Sequence, residues 1–139
     1  MIRKEKIITN SFEDTLKFGS TFSKKLKPGN IVLLYGQLGS GKTSFVKGVA
    51  EGFGFKGEAT SPTFSLINEY DARTKIIHID CYREKNISRW INIGIIDYFE
   101  SDSIVLIEWP EILEDIIPDD VFKIQFNHIN GDKREINII

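Results

Sequence analysis

A chain of 139 residues, 41% hydrophobic and 27% charged, has the composition of one soluble globular domain, and is too short for a nucleotide domain plus a separate substrate domain. Its net charge of −2 gives no sequence-wide basic footprint, so direct binding of nucleic acid, DNA included, is not expected. One cysteine and two histidines exclude an internal disulfide and a zinc site, and no apolar run approaches a membrane span; a cytoplasmic protein with no membrane association and no cleaved leader is expected.

Residues 6–9 read as a short strand. Ser11 followed by Asp14 is an approximate capping box for a helix in which Phe12, Leu16, Phe22 and Leu26 recur at helical spacing. Lys24 and Lys25 suit its negative end, and Pro28-Gly29 stops it. This helix is expected to pack the core, with a border on a purine pocket as the other reading. Ile31-Val32-Leu33-Leu34-Tyr35 is an unbroken apolar run, the pattern of a strand buried on both faces. It delivers the chain into Gly36-Gln37-Leu38-Gly39-Ser40-Gly41-Lys42-Thr43, which fits G-x-x-x-x-G-K-[ST]. Phe45, Val46, Val49 and Ala50 then fall on one side of a helix.

Strand, glycine loop and helix in that order form a phosphate cradle. Gly36, Gly39 and Gly41 allow the backbone angles that turn consecutive N–H groups towards phosphate oxygens, at the positive end of the following helix. The stretch that includes Leu38, Ser40 and Ser44 is therefore the expected nucleotide contact, with a nucleoside triphosphate and magnesium as cofactors. Lys42 reaches the β- and γ-phosphates as a mobile charge, and the Thr43 hydroxyl is placed to ligate the magnesium between them.

Residues 52–57 are glycine-rich and read as a mobile connection. Next come Thr60, Ser61, Pro62 and Thr63, where the proline holds two hydroxyls in a defined orientation; a γ-phosphate sensor and a plain proline turn are both open readings. Residues 64–70 and 75–80 are strand-like runs joined by a turn, hence a hairpin, with His78 and Asp80 on one face of the second strand. Asp80 at the strand end is a candidate magnesium or water ligand, and Arg83 a candidate for neutralising charge during phosphoryl transfer. A capping aspartate and a surface ion pair are the plainer alternatives.

Residues 86–99 read as a helical segment weakened at Gly94. Residues 103–108 form a second continuous apolar strand ending in Glu108, the pattern of a Walker B element parallel to the loop-bearing strand, with Glu108 facing the magnesium. In the tail, residues 121–126 and 134–139 alternate around Asn130-Gly131-Asp132, a hairpin. The sum is a single P-loop NTPase-type α/β domain over residues 1–139: three layers, with a mixed, mostly parallel central sheet and β-hairpins.

Four motifs in this order, the glycine loop, Ser61-Pro62-Thr63-Phe64, His78-Ile79-Asp80-Cys81-Tyr82-Arg83 and Ile107-Glu108-Trp109-Pro110-Glu111, resemble the bacterial TsaE family, also called YjeE. The likeness spans nearly the whole chain. It implies an ATPase of tRNA threonylcarbamoyladenosine formation that associates with TsaB and TsaD and meets tRNA indirectly through them. By position, the resemblance gives Lys42, Asp80 and Glu108 to catalysis, and Thr43, Glu108 and Asp80 to the metal. Thr63 falls in a switch-like segment, and Tyr82, Arg83 and Trp109 lie near the site or a partner surface. Gln37 stands where the family often has Asp, and the segment after Arg83 is less acidic than usual. A regulatory module that holds ATP without turnover, and more remotely a small-molecule kinase, are the competing functions.

Overall fold

The computed structural model describes residues 4–57, 59 and 66–139. In chain order the strands are β1 (Glu5–Thr9), β2 (Ile31–Tyr35), β3 (Ile67–Tyr70), β4 (Ile76–Asp80), β5 (Ile104–Glu108), β6 (Phe122–Asn130) and β7 (Lys133–Ile138). A strand that is apolar on both faces has to lie in the middle of a sheet, and β2 and β5 do: the order is β1-β7-β6-β2-β5-β4-β3. β2 runs parallel to β5 and β6, and β4 parallel to β5, whereas the β3/β4, β6/β7 and β1/β7 pairs are antiparallel. The mixed sheet expected from the sequence is thus parallel at its centre, with a hairpin on either side and β1 added at one edge.

Helices cover both faces. α1 (Phe12–Phe22) and α2 (Lys42–Gly52) bury Phe22, Phe45, Val46 and Val49 against Val32, Leu34, Leu106 and Phe126. On the other face α3 (Ile87–Asn92), α4 (Ile95–Phe99) and the 3₁₀ segment Pro110–Ile116 bring Trp90, Ile95, Phe99 and Leu113 onto Leu33, Ile77, Ile79 and Ile107. The period-two alternation of each strand sorts its side chains between these two cores.

α1 and α2 meet backbone to backbone. A Cβ added at Gly48 would lie 2.0 Å from the Leu16 carbonyl oxygen, and one at Gly19 would lie 2.4 Å from that of Phe45. Gly48→Ala is therefore expected to destabilise the fold by about 1–3 kcal/mol through overpacking, lowering the thermal midpoint by roughly 3–12 °C. An unchanged or raised midpoint, the ordinary result of Gly→Ala inside a helix, would contradict this close crossing.

Some elements differ from the expectation. The first helix ends at Phe22 and tightens into a 3₁₀ turn over Ser23–Lys25, so Leu26 enters the core from extended backbone. Gly94, at φ 87°, breaks residues 86–99 into α3 and α4. Residues 52–57, expected to be loose, are tied down: Phe53 is buried, Phe55 packs on Tyr70 at 5.0 Å, and Arg73 Nη2 donates to the Gly52 carbonyl at 2.7 Å. The expectations for Ser61 and Thr63 fall outside the described residues.

Candidate functional site

Parallel strands end on the same edge of a sheet, and here the ends of β2, β4 and β5 converge. Leu34 is in register with Glu108, and Glu108 with Asp80, so both acids stand beside the loop that leaves β2. In the loop, Gly36, Gly39 and Gly41 take φ values of 145°, 75° and 104°, all in the region that favours glycine. Gly36 has a second constraint, since a Cβ there would meet the Phe126 carbonyl oxygen at 2.5 Å and Ser40 Oγ at 2.7 Å. α2 starts at Lys42, directly after Gly41, and its N-terminus opens into a cavity of about 270 Å³. The loop residues Leu38 to Ser44 line one side of it; Asp80, Glu108 and Trp109 line the other, and Phe12 of α1 borders it.

Lys42 is the cation of this cavity, only 4% exposed. Its ammonium donates to the Gly36 carbonyl and lies 4.0 Å from the centre of the Trp109 ring. Burial pushes its pKa down, opposed by the charges of Glu108, Asp80 and Glu111. Ser40 Oγ is buried with no hydrogen-bond partner among the described residues. A buried hydroxyl left unpaired on a cavity wall is an unusual cost, and a ligand oxygen would relieve it.

Trp109 reaches Lys42 through strained backbone. It is the one non-glycine residue at positive φ among those described, 55°, and it precedes Pro110, which disfavours the helical region before it. That turn swings the chain off β5 and lays the indole over the ammonium. Tyr82 packs on the same ring at 4.9 Å, and Lys85 lies 5.9 Å from its centre.

The two acids differ. Glu108 is buried and its Oε2 accepts from His78 Nε2 at 2.6 Å. Asp80 is half-buried and its Oδ1 accepts from the Tyr82 backbone N–H at 2.9 Å. Burial raises the pKa of Asp80, helped by the neighbouring Glu108 and opposed by the Tyr82 hydrogen bond, His78 and Lys42. Cys81 belongs to the core beneath, where burial raises its thiol pKa to about 12, in keeping with a small buried hydrophobe.

Of the residues picked out in the sequence, the structure gathers Leu38, Gly39, Ser40, Gly41, Lys42, Thr43, Ser44, Asp80, Glu108 and Trp109 around one cavity, with Gly36 at the root of its loop. Arg83 is exposed on the turn after β4 and is not among the cavity-lining residues, whereas Thr63 lies outside the described residues. Two contacts at the site join elements distant in sequence and are not among those the sequence predicts. Arg134 of β7, 7% exposed, donates from Nη2 to the Gly39 carbonyl at 2.9 Å and from Nη1 to the Gly131 carbonyl at 2.7 Å, tying the glycine loop to the tail hairpin. His78 was placed on the face of Asp80, but its pairing with Glu108 depends on the β4/β5 register, which no local pattern encodes. An arginine inside an alternating strand was the available signal for the first.

The strand, glycine loop and helix, beside a parallel strand that ends in an acid, define a P-loop-type α/β domain. A crystal structure of YdiB from Bacillus subtilis has the same fold, with a TM-score of 0.84 at 32% identity, covering 99% of this chain and 86% of that one. The family model for the threonylcarbamoyl adenosine biosynthesis protein TsaE matches residues 9–136. The tRNA threonylcarbamoyladenosine biosynthesis protein TsaE of Treponema pallidum is 34% identical over 131 residues, 94% of this chain and 97% of that protein. Its counterpart in Bacillus subtilis is 36% identical over 125 residues, 89% of this chain and 78% of that protein. The chain belongs to the TsaE family.

Proposed function

We propose that this chain binds ATP with magnesium and hydrolyses it as a subunit of the tRNA threonylcarbamoyladenosine machinery, acting on a TsaB–TsaD complex in the cytoplasm. Membership of the TsaE family supports the pathway. The ATP reading rests on one observation above all: a buried ammonium, Lys42, at a helix N-terminus, facing two acids in register across the cavity. No described helix is long and apolar enough to cross a membrane.

The residues present fit a triphosphate. The orphaned Ser40 hydroxyl calls for an oxygen partner, and the N-terminus of α2, which opens into the cavity, favours negative charge. They fit magnesium as a shared ligand. Among the described residues no group of three or more His, Cys, Asp or Glu side chains could hold a metal by itself, so phosphate oxygens and water would have to complete a set built on Thr43, Glu108 and Asp80. Magnesium, when bound, supplies neutralisation of charge on the β- and γ-phosphates. Lys42 would reach the same oxygens from the opposite side, leaving its carbonyl and indole contacts. Asp80, the more exposed acid, is the better placed to orient the attacking water.

What the cavity contains supports partner dependence. Lys42 is its buried cation, while Arg83 stands exposed outside it, so further charge neutralisation during hydrolysis falls to a partner or to rearrangement on binding one. The described residues form one sheet with helices packed on its two faces, and no separate segment among them forms the lidded acceptor pocket that a kinase needs. Free phosphate as the sole fate of a labelled γ-phosphate is the expected result, and transfer of label to a metabolite would favour the kinase. ATP bound without turnover, with both partners and tRNA present, would favour the regulatory module.

Two outcomes follow from the site's supports. Arg134→Ala should weaken ATP binding about tenfold in a titration, because the loop loses its tie to β7, while hydrolysis per bound ATP changes less. Unchanged affinity would remove Arg134 from the site. Asp80→Asn should lower multiple-turnover hydrolysis at least tenfold and yet raise the thermal midpoint at pH 7. The sign is set by its raised pKa: the folded chain holds the Asp80 proton to higher pH than the unfolded one, so stability falls as pH rises from the ordinary aspartate range through the folded value. A lower midpoint for Asp80→Asn, or unaltered turnover, would contradict this.

A further inference from the structure

His78 occupies a place where an aliphatic residue would be expected. It lies on β4, one strand in from the sheet edge, fully buried, in a strand whose other positions include Ile76, Ile77 and Ile79. A buried imidazole costs free energy unless both ring nitrogens are paired, and here both are. Nε2 meets Glu108 Oε2 at 2.6 Å, and Nδ1 meets the Tyr70 hydroxyl at 3.2 Å. Asn68 Nδ2 lies 3.4 Å from that hydroxyl oxygen and donates to it. At the other end a carboxylate oxygen can only accept, so the proton between His78 and Glu108 sits on Nε2.

We infer that His78 is a positioning residue: held by Tyr70, it fixes the Glu108 carboxyl from behind so that the second carboxyl oxygen is presented to the nucleotide side of the cavity. His78 does not line the cavity itself, so it acts through Glu108. Glu108 ends a buried strand and its side chain has torsional freedom that β5 does not remove; a short hydrogen bond to an imidazole that is itself clamped does remove it. Tyr70 is clamped in turn, its ring packed on Phe55 at 5.0 Å in the segment that follows α2. The support of the acid thus runs back to the segment leaving the phosphate-loop helix. Its consequence for turnover rests on the proposed ATP hydrolysis; its structural content does not.

The structural content is tested on the protein without nucleotide by NMR of ¹⁵N-labelled histidine. His78 should show a protonated Nε2 whose hydrogen exchanges slowly, and Glu108→Gln should shift that resonance. The other histidine, His128, is exposed and serves as the fast-exchanging internal reference. An Nε2 without a proton would overturn the inference, and this spectrum needs no substitution at position 78.

The consequence for turnover is tested with two polar replacements of similar size. The Gln side-chain amide nitrogen can occupy the Nε2 position and still donate to Glu108, whereas the Asn amide ends near Nδ1 and cannot. His78→Gln should keep kcat within about threefold of wild type, and His78→Asn should lose about tenfold or more, with KM for ATP within about threefold in both. A residue that merely fills the core predicts equal effects. Equal kcat values, a better Asn than Gln variant, or a loss confined to KM would each overturn the role. A wild type that releases no phosphate with both partners would instead overturn the ATPase reading, while the imidazole spectrum still decides the His78–Glu108 contact.

Discussion

Lys42→Ala is expected to weaken ATP binding about a hundredfold, the loss of roughly 2.7 kcal/mol, without lowering the thermal midpoint. Both halves have one cause. The Lys42 ammonium is desolvated, and its pKa is pushed down by that burial, so the folded chain bears a cost to keep the charge in the cavity. The charges of Glu108, Asp80 and Glu111, with a carbonyl and an indole, offset only part of it. Triphosphate oxygens would offset the rest, which is why the loss appears in binding and not in folding. Titration calorimetry with ATP and magnesium, beside a thermal melt of the same samples, checks both. Unimpaired affinity, or a large drop in midpoint with it, would assign Lys42 to structure.

Glu108→Gln should slow hydrolysis by about a hundredfold or more while ATP affinity stays within about threefold, because under the proposed function its charge would face the reacting phosphate and matter most as charge moves. The amide keeps a carbonyl oxygen that can accept from His78 Nε2, so the hydrogen bond seen at 2.6 Å need not be lost and the fold is left intact. Single-turnover release of labelled phosphate at saturating magnesium is the measurement. Equal rates for wild type and Glu108→Gln would remove Glu108 from the chemistry.

Features set by local pattern were legible in the sequence. Ile31 to Tyr35, the three loop glycines and the apolar run ending in Glu108 predicted the central parallel pair and the position of its acid, and the register puts Leu34 beside Glu108 as required. Ser11 accepts from the Asp14 backbone N–H at 3.1 Å, as the capping pattern implied. Long-range pairing was not legible. The contacts Arg134–Gly39, 95 residues apart, and His78–Glu108, 30 apart, exist because strands distant in sequence are neighbours in the sheet. The crossing of Gly19 and Gly48 was hidden for a similar reason, since a glycine in a helix signals close approach without naming what approaches. Residues 52–57 were misjudged because glycine content carries no information on Phe53 and Phe55, which pack into the core and onto Tyr70.

Phosphate release from ATP by the wild-type chain, measured alone and then with TsaB, TsaD and tRNA, tests the ATPase proposal most directly. The expected result is slow multiple turnover alone, a rate raised by at least tenfold with the partners, and loss of both rates in Glu108→Gln. No turnover beyond a single ATP per chain in any mixture, with ATP still bound, would contradict it.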